Sequence, residues 1–218
     1  MNAYLISIGD ELLIGQTVNT NVSFLGNLLS DNNIDIIKST VIGDDHQAIL
    51  DEFNLAFNSA ELIICTGGLG PTHDDITRNA VVEYFKTELI NNEEVLEDVK
   101  AFVTKRGREL KKNHTDQALV PKIATAIRNE NGTAPGIWIE KENKILVVMP
   151  GVPYEMKAMM NNYVIPTLLE KIGTPKEFIK KVTLQTTGLP ESILAERLGD
   201  INELLNGAKL AFLPNQYG

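Results

Sequence analysis

Three segments of the sequence combine glycine with acidic or amide side chains, a composition typical of loops that bind phosphate groups and metal ions. They are residues 9–21, 66–77 and 150–156, and each follows a short apolar run that is typical of a β-strand. Ligands of open α/β sheets bind beyond the carboxyl ends of the strands, where several loops meet. The sequence therefore predicts one pocket formed by these three loops.

The glycine-rich segment 66–77 predicts a phosphate site. Gly67, Gly68 and Gly70 can expose consecutive backbone amides to an oxyanion, and the helix that follows adds its positive end. The segment lacks the lysine of a P-loop and the glycine spacing of a dinucleotide-binding loop. Across the three loops, the residues predicted to contact the ligand are Gly9, Asn19, Asn21, Thr66, Gly67, Gly68, Gly70, Thr72, Thr77, Gly151, Val152 and Glu155.

Four carboxylates in the loops predict a bound divalent metal: Asp10, Glu11, Asp74 and Asp75. None of the three loops contains Lys or Arg, so the charge of a bound diphosphate needs neutralisation from elsewhere. Mg²⁺, Mn²⁺ or Co²⁺ on these carboxylates would supply it, polarise a phosphoryl oxygen and activate a water. The four residues are therefore the predicted metal ligands and catalytic residues. Two simpler interpretations stay open, namely that Asp74 or Asp75 caps the next helix and that Asp10 and Glu11 are solvated.

Other polar residues near these loops are weaker candidates. Asp44 follows the second predicted strand and can reach the same edge, although a cap on the next helix is the favoured explanation of the aspartates at 44 and 45. Residues 129–136 form a polar, glycine-rich segment that either covers the site or is an ordinary surface loop. Arg78 and Lys157, one residue beyond the loops, are the nearest cations along the chain.

The elements that would position these loops alternate between short apolar runs and longer amphipathic ones, which predicts βα units around a mostly parallel sheet. The predicted strands are 3–8, 34–42, 62–65, 136–140 and 144–149. The predicted helices begin at Asn19 or Thr20 and after Thr72, and cover 46–59, 93–108, 115–120 and 153–171. In the helix at 46–59, the residues expected to face the core are Ile49, Phe53, Leu55 and Ala56.

A domain boundary is predicted at Gly173-Thr174-Pro175, a sequence typical of a turn or linker. Residues 1–172 then form an α/β domain, and residues 176–218 form the start of a small α+β domain. In the second domain we expect a strand over 178–187, a helix over 190–198 and a strand over 209–213. Because that last strand has no partner after it, the natural protein is expected to be longer.

Composition limits the classes of partner. The 218 residues carry a net charge of −9, which argues against general binding to nucleic acid or to an anionic membrane. The lone Cys65 lies in an apolar run and fits burial in a reducing cytoplasm. We therefore expect a cytoplasmic protein that binds a small molecule through the three loops rather than nucleic acid or a membrane.

The three loops, together with residues 132–136, resemble the N-terminal part of the competence/damage-inducible CinA family over about residues 3–170. The resemblance implies a three-layer α/β/α sandwich like that of the MoaB/Mog-type molybdopterin-binding proteins. Because such folds are commonly dimers or trimers, we expect a homodimer that binds a small nucleotide substrate. In those relatives the glycine loop is followed by an acidic residue, matched here by Asp74 or Asp75. Full-length CinA proteins often continue into a nicotinamide mononucleotide deamidase domain, an activity that the resemblance does not give to these residues.

The activity implied by the resemblance is metal-dependent hydrolysis of ADP-ribose to AMP and ribose 5-phosphate. An alternative is a non-catalytic pterin- or nucleotide-binding module with a regulatory role in a longer CinA-type protein. A third interpretation, a molybdopterin adenylyl- or metal-transfer enzyme, fits the spacing of Leu69-Gly70-Pro71-Thr72 less well.

Overall fold

The computed structural model describes residues 1–72, 75–173, 182–201 and 205–213. Its strands are Asn2–Ile8 (β1), Asp35–Ile42 (β2), Leu62–Thr66 (β3), Leu89–Asn91 (β4), Leu119–Pro121 (β5), Thr125–Ile127 (β6), Gly136–Lys141 (β7) and Lys144–Met149 (β8). Its helices are Asp10–Leu13 (α1), Thr20–Asp31 (α2), His46–Ser59 (α3), Thr77–Phe85 (α4), Glu93–Lys105 (α5), Lys112–Thr115 (α6), Pro153–Met159 (α7), Ile165–Ile172 (α8) and Glu191–Leu198 (α9).

A six-stranded sheet in the order β2-β1-β3-β8-β7-β6 forms the centre of the fold. The four strands from β2 to β8 are parallel, and the β7–β8 hairpin and β6 add antiparallel pairs at one side. Strands β3 and β8 are nearly continuous apolar runs because both of their faces are buried. The parallel register brings the carboxyl ends of β1, β3 and β8 to one edge, as the sequence predicts.

Helices cover both faces of the sheet and make the fold a three-layer α/β/α sandwich. On one face, Leu25 and Leu29 of α2 join Met156 and Leu168 in a core with alternate strand residues. On the other face, Phe53 of α3 and residues of α4 pack against the remaining strand residues. The predicted fold class is therefore confirmed. Cys65 is fully buried in this second core, and burial raises the pKa of its thiol.

The sequence misplaced several elements. Residues 115–120 are not one helix, because α6 ends at Thr115 and residues 119–121 pair as β5 with β4 in a small antiparallel sheet. This tertiary pairing outweighs the weak helical preference of so short a segment. Leu55 is 53% exposed because it lies off the face that Phe53 and Ala56 share. The predicted helix over 153–171 contains a π-helical turn at Met160–Val164, immediately before α8 and its Pro166.

Contacts divide the chain into two compact units, Met1–Ile179 and Lys180–Gly218. In the second unit α9 confirms the predicted helix at 190–198, whereas residues 182–187 and 209–213 form no strand. Residues 178–181 of the predicted strand lie outside the described residues, and the described residues 209–213 pair with no other strand in the described part of the unit. The domain boundary at 173–175 stays a prediction. No helix in the described ranges is both long and apolar enough to cross a membrane.

Candidate ligand-binding site

The three predicted loops meet at the carboxyl edge of the parallel strands and line one cavity of about 580 Å³, here called the ligand cavity. Its lining includes most of the predicted site residues, namely Gly9, Glu11, Asn19, Asn21, Thr66, Gly67, Gly68, Gly70, Asp75, Gly151, Val152 and Glu155. Thr133 and Ala134 complete the wall, so segment 129–136 does reach the site. Leu12, Val18, Leu69 and Pro71 add apolar surface.

Backbone geometry at Gly67 and Gly68 explains why the loop after β3 needs glycine. The φ angles of these residues are +110° and +67°, a region that other residues rarely adopt. A Cβ on Gly67 would lie 2.1 Å from the carbonyl oxygen of Ile8, and one on Gly68 would lie 2.0 Å from Thr77 Oγ1. The loop thus folds against β1 and the first turn of α4, with no room for a side chain.

Asp75 holds the glycine loop in shape through three hydrogen bonds. Its Oδ1 accepts from the amide of Gly70 at 2.6 Å, and its Oδ2 accepts from the Thr72 amide at 2.8 Å and the Thr72 hydroxyl at 2.5 Å. Hydrogen bonds to an ionised carboxylate are among the stronger ones in proteins. Bracing of the loop is therefore a structural role of Asp75, and its predicted role as a metal ligand or catalytic residue stays a prediction.

Two asparagines connect the first loop to its neighbours. Asn19 caps α2 by accepting from the Val22 amide at 3.2 Å, and its amide nitrogen donates to Ser7 Oγ at 2.8 Å. Asn21 donates to the carbonyl of Gly151 at 2.8 Å, which ties the first loop to the third. The Oδ1 of Asn21 is buried and accepts no hydrogen bond from the described residues.

The acidic residues of the first loop lie beside Asp44, which also lines the ligand cavity. Asp10 N donates to Asp44 Oδ2 at 3.0 Å, and Asp44 N donates to Asp10 Oδ1 at 3.2 Å. Asp10 itself is not on the lining, because α1 turns it toward residue 44. Glu11 does line the cavity, and its carboxylate folds back over the backbone of Gly9. Asp45, in contrast, is the cap of α3.

Among the described residues, no group of three or more His, Cys, Asp or Glu side chains is close enough to hold a metal ion. Asp74, the remaining predicted ligand, lies outside them. The metal site of Asp10, Glu11, Asp74 and Asp75 consequently stays a prediction.

Burial raises the pKa of Asp44, and repulsion from Asp10, Glu11 and Asp75 adds to the shift, against an opposing hydrogen bond from the Asp10 amide. The Asp44 carboxyl thus stays protonated to a higher pH in the folded protein than in the unfolded chain. The free energy of unfolding falls as pH rises from the pKa of the unfolded carboxyl through the higher pKa of the folded one.

We expect Asp44→Asn to be more stable than the wild type, and more so at neutral pH than near pH 4. The gain should stay below about 1 kcal/mol because the carboxylate is partly exposed. Urea unfolding across this pH range measures it, and a gain that shrinks as pH rises would contradict the prediction.

Glu155 also lines the ligand cavity and is 7% exposed. Asn129, also buried, donates to its Oε2 at 2.6 Å and to the carbonyl of Ala134 at 2.8 Å, and accepts from the Asn131 amide at 3.0 Å. A Cβ on Gly132 would lie 2.3 Å from the same carboxylate oxygen. Asn129 thereby fixes both segment 129–136 and Glu155. No motif in the sequence marks Asn129, since its neighbours are ordinary loop residues.

The remaining predicted site residues are near the cavity but not on its lining. The Thr72 hydroxyl donates a hydrogen bond to Asp75. Thr77 is fully buried beneath Gly68, and its amide donates to the Gly68 carbonyl at 3.1 Å. The two nearest cations along the chain are also engaged elsewhere. Arg78 donates to the carbonyls of residues 116 and 119, and Lys157 lies 5.2 Å from the ring centroid of Phe24.

A glycine loop at the carboxyl edge of a parallel sheet, inside an α/β/α sandwich, defines an α/β ligand-binding domain. Residues 4–170 match the family described as "Probable molybdopterin binding domain", and the chain belongs to this family as one of its CinA-like members.

A CinA-like protein of Flavobacterium psychrophilum is 43% identical over 217 residues, which are 99% of this chain and 51% of that protein. The chain spans about half the length of the curated relatives it matches. The crystal structure of CinA from Thermoplasma acidophilum is 33% identical with a TM-score of 0.68, over 78% of this chain and 96% of that one. MoaB from Thermus thermophilus, a molybdopterin biosynthesis enzyme, has a TM-score of 0.53 at 16% identity over 78% of this chain and 93% of that one, a likeness of fold alone.

Proposed function

We propose that the ligand cavity binds a small molecule that joins a phosphate group to a flat heterocycle, that is, a nucleotide or a phosphorylated pterin. The observation that carries this proposal is the hydrogen bonding of two successive backbone amides in the glycine loop. Within the described residues, the amides of Gly68 and Leu69 donate to no acceptor, although both residues line the cavity. Successive amides in a loop with positive φ form a concave site for an anion.

The third loop and the apolar walls suit the rest of such a ligand. The amides of Gly151 and Val152 likewise find no acceptor in the described part of the chain, and α7 starts directly after them. Leu12, Val18 and Leu69 offer surface for a planar ring. The free Oδ1 of Asn21 can accept from a ring N–H or an amino group, which adenine and pterin both carry.

Calorimetric titration with AMP and adenosine, without metal and with EDTA present, tests this proposal. AMP should bind at least about tenfold more tightly than adenosine, because only AMP offers an acceptor to the loop amides. Equal affinities, or no binding of AMP, would overturn the proposal.

Metal-dependent hydrolysis of ADP-ribose to AMP and ribose 5-phosphate is the second candidate function. It is favoured by the carboxylates of Glu11, Asp44 and Asp75 on one cavity, whose mutual repulsion a divalent cation would relieve. Two observations weaken it: both oxygens of Asp75 already accept hydrogen bonds, and the described residues assemble no three-ligand cluster. Release of AMP from ADP-ribose with Mg²⁺, Mn²⁺ or Co²⁺, but not with EDTA, would support hydrolysis. Metal-independent binding without AMP release would leave the non-catalytic module.

A further inference from the structure

A second cavity of about 260 Å³, here called the basic cavity, adjoins the ligand cavity. Its basic lining comes from Arg106 and Arg108, which follow α5, and from His114 of α6. Both cavities are lined by Pro71, Thr133 and Glu155, so they meet at these residues. The two cavities are therefore immediate neighbours.

Neither arginine of the basic cavity has an acidic partner among the described residues, and the ring that Arg106 contacts, Phe102, lines the same cavity. The Arg106 guanidinium lies 4.2 Å from the ring centroid of Phe102, and Arg108 forms no ion pair with any described residue. Arg128, by comparison, is bound through two nitrogens to Asp98. In a chain with a net charge of −9, two arginines on one cavity without an acidic partner among the described residues form a local positive site.

His114 adds an oriented donor to this positive site. Its Nδ1 accepts a hydrogen bond from the Lys111 amide at 3.1 Å. In the neutral ring, a hydrogen-bond acceptor at Nδ1 places the proton on Nε2. The basic cavity therefore contains two guanidinium groups and an imidazole N–H, all of them donors that suit the oxygens of an anion.

The residues shared by the two cavities offer hydrogen-bond acceptors instead of cations. The Glu155 carboxylate, held by Asn129, is an acceptor and repels an anion, whereas it can accept from a hydroxyl group. The Thr133 hydroxyl stands at the same junction. The ligand cavity thus offers amides for an anion, the shared residues offer acceptors for hydroxyls, and the basic cavity offers cations for a second anion.

We propose that the basic cavity binds a second anionic group of the same ligand, so that the ligand carries, beyond the heterocycle and phosphate held in the ligand cavity, sugar hydroxyls and a second anionic end. This inference rests on the proposed function, because the first anionic group is the phosphate held by the glycine loop. The arginines then supply the positive charge that the three loops lack.

The experiment compares a two-ended probe, 5-phosphoribosyl 1-diphosphate, with AMP as a probe of the ligand cavity alone, both titrated calorimetrically with EDTA present. Arg106→Gln/Arg108→Gln should weaken binding of the two-ended probe by roughly tenfold or more and change AMP binding by less than about twofold. Lys100→Gln/Lys105→Gln is the matched control, because it removes the same charge from exposed positions of α5 outside the cavity. It should weaken both probes by less than about twofold.

The outcomes separate the two proposals. If the wild type binds AMP but the arginine variant binds the two-ended probe as tightly as the wild type does, the basic cavity is not an anion site and only this inference fails. An equal loss in the lysine control would also overturn it, since the effect would then be general electrostatics. If the wild type binds neither probe, the proposed function fails and this inference fails with it.

Discussion

Gly68→Ala is expected to lower the free energy of unfolding by about 3 kcal/mol and to weaken AMP binding at least about tenfold. Two energetic costs add up in the folded variant, namely backbone strain and a steric clash. The φ angle of +67° is unfavourable for alanine, and the new Cβ would lie 2.0 Å from Thr77 Oγ1 and 3.0 Å from Thr77 Cβ. Because Thr77 is fully buried in the first turn of α4, the loop has to move, and its free amides move with it. Urea unfolding and calorimetry measure the two effects.

Gly107→Ala separates the two costs in the stability measurement. Gly107 has nearly the same φ, +65°, but a Cβ there would meet nothing within 4 Å. We expect this control to lose only about 1 kcal/mol, the cost of the backbone conformation without the clash. Equal losses in the two variants would mean that the Thr77 contact does not constrain the loop.

The edge of the sheet at which the site lies could be predicted because it depends on local patterns. The apolar runs of β1, β3 and β8 are long enough to be recognised, and parallel pairing brings their carboxyl ends together. The cap at Asn19 and the hairpin of β7 and β8 follow from short-range chemistry. These elements were predicted almost to the residue.

Partners across the fold could not be predicted in the same way. Asp75 looks like a metal ligand in the sequence, yet its oxygens accept from the loop five and three residues before it. The sequence places Asp44 after the neighbouring strand β2 and at the same edge, but its reciprocal hydrogen bonds with Asp10 follow only from the parallel pairing of β1 and β2. Such contacts depend on the distance between elements in space, which residue types do not encode.

The absence of Lys and Arg from the loops was the strongest argument for a metal, and the fold weakens it. Arg106 and Arg108 lie about 30 residues beyond the glycine loop in the sequence and belong to no motif, yet their cavity adjoins the ligand cavity. A metal and these arginines are thus alternative sources of positive charge for one ligand. The role of Asp75 distinguishes them, because a metal requires its carboxylate to bind a cation rather than the loop.

Asp75→Asn is expected to lower the free energy of unfolding by about 2 kcal/mol and to weaken metal-free AMP binding roughly tenfold. Asparagine has only one side-chain oxygen, so its NH₂ group would face an amide that now donates to Asp75, either that of Gly70 or that of Thr72. The loop would lose one hydrogen bond and the extra strength that the charge gives to the others. Urea unfolding and calorimetry with EDTA present measure both effects.

Asp45→Asn is the matched control for Asp75→Asn, since it makes the same chemical change where the carboxylate only caps a helix. Asp45 accepts from the Ala48 amide at 2.8 Å, and asparagine caps helices about as well as aspartate does. Its free energy of unfolding should therefore change by less than about 0.5 kcal/mol. If Asp75→Asn instead keeps its stability and its metal-free AMP affinity but loses a metal-dependent release of AMP from ADP-ribose, the carboxylate binds the metal, and the basic cavity is not the only source of positive charge.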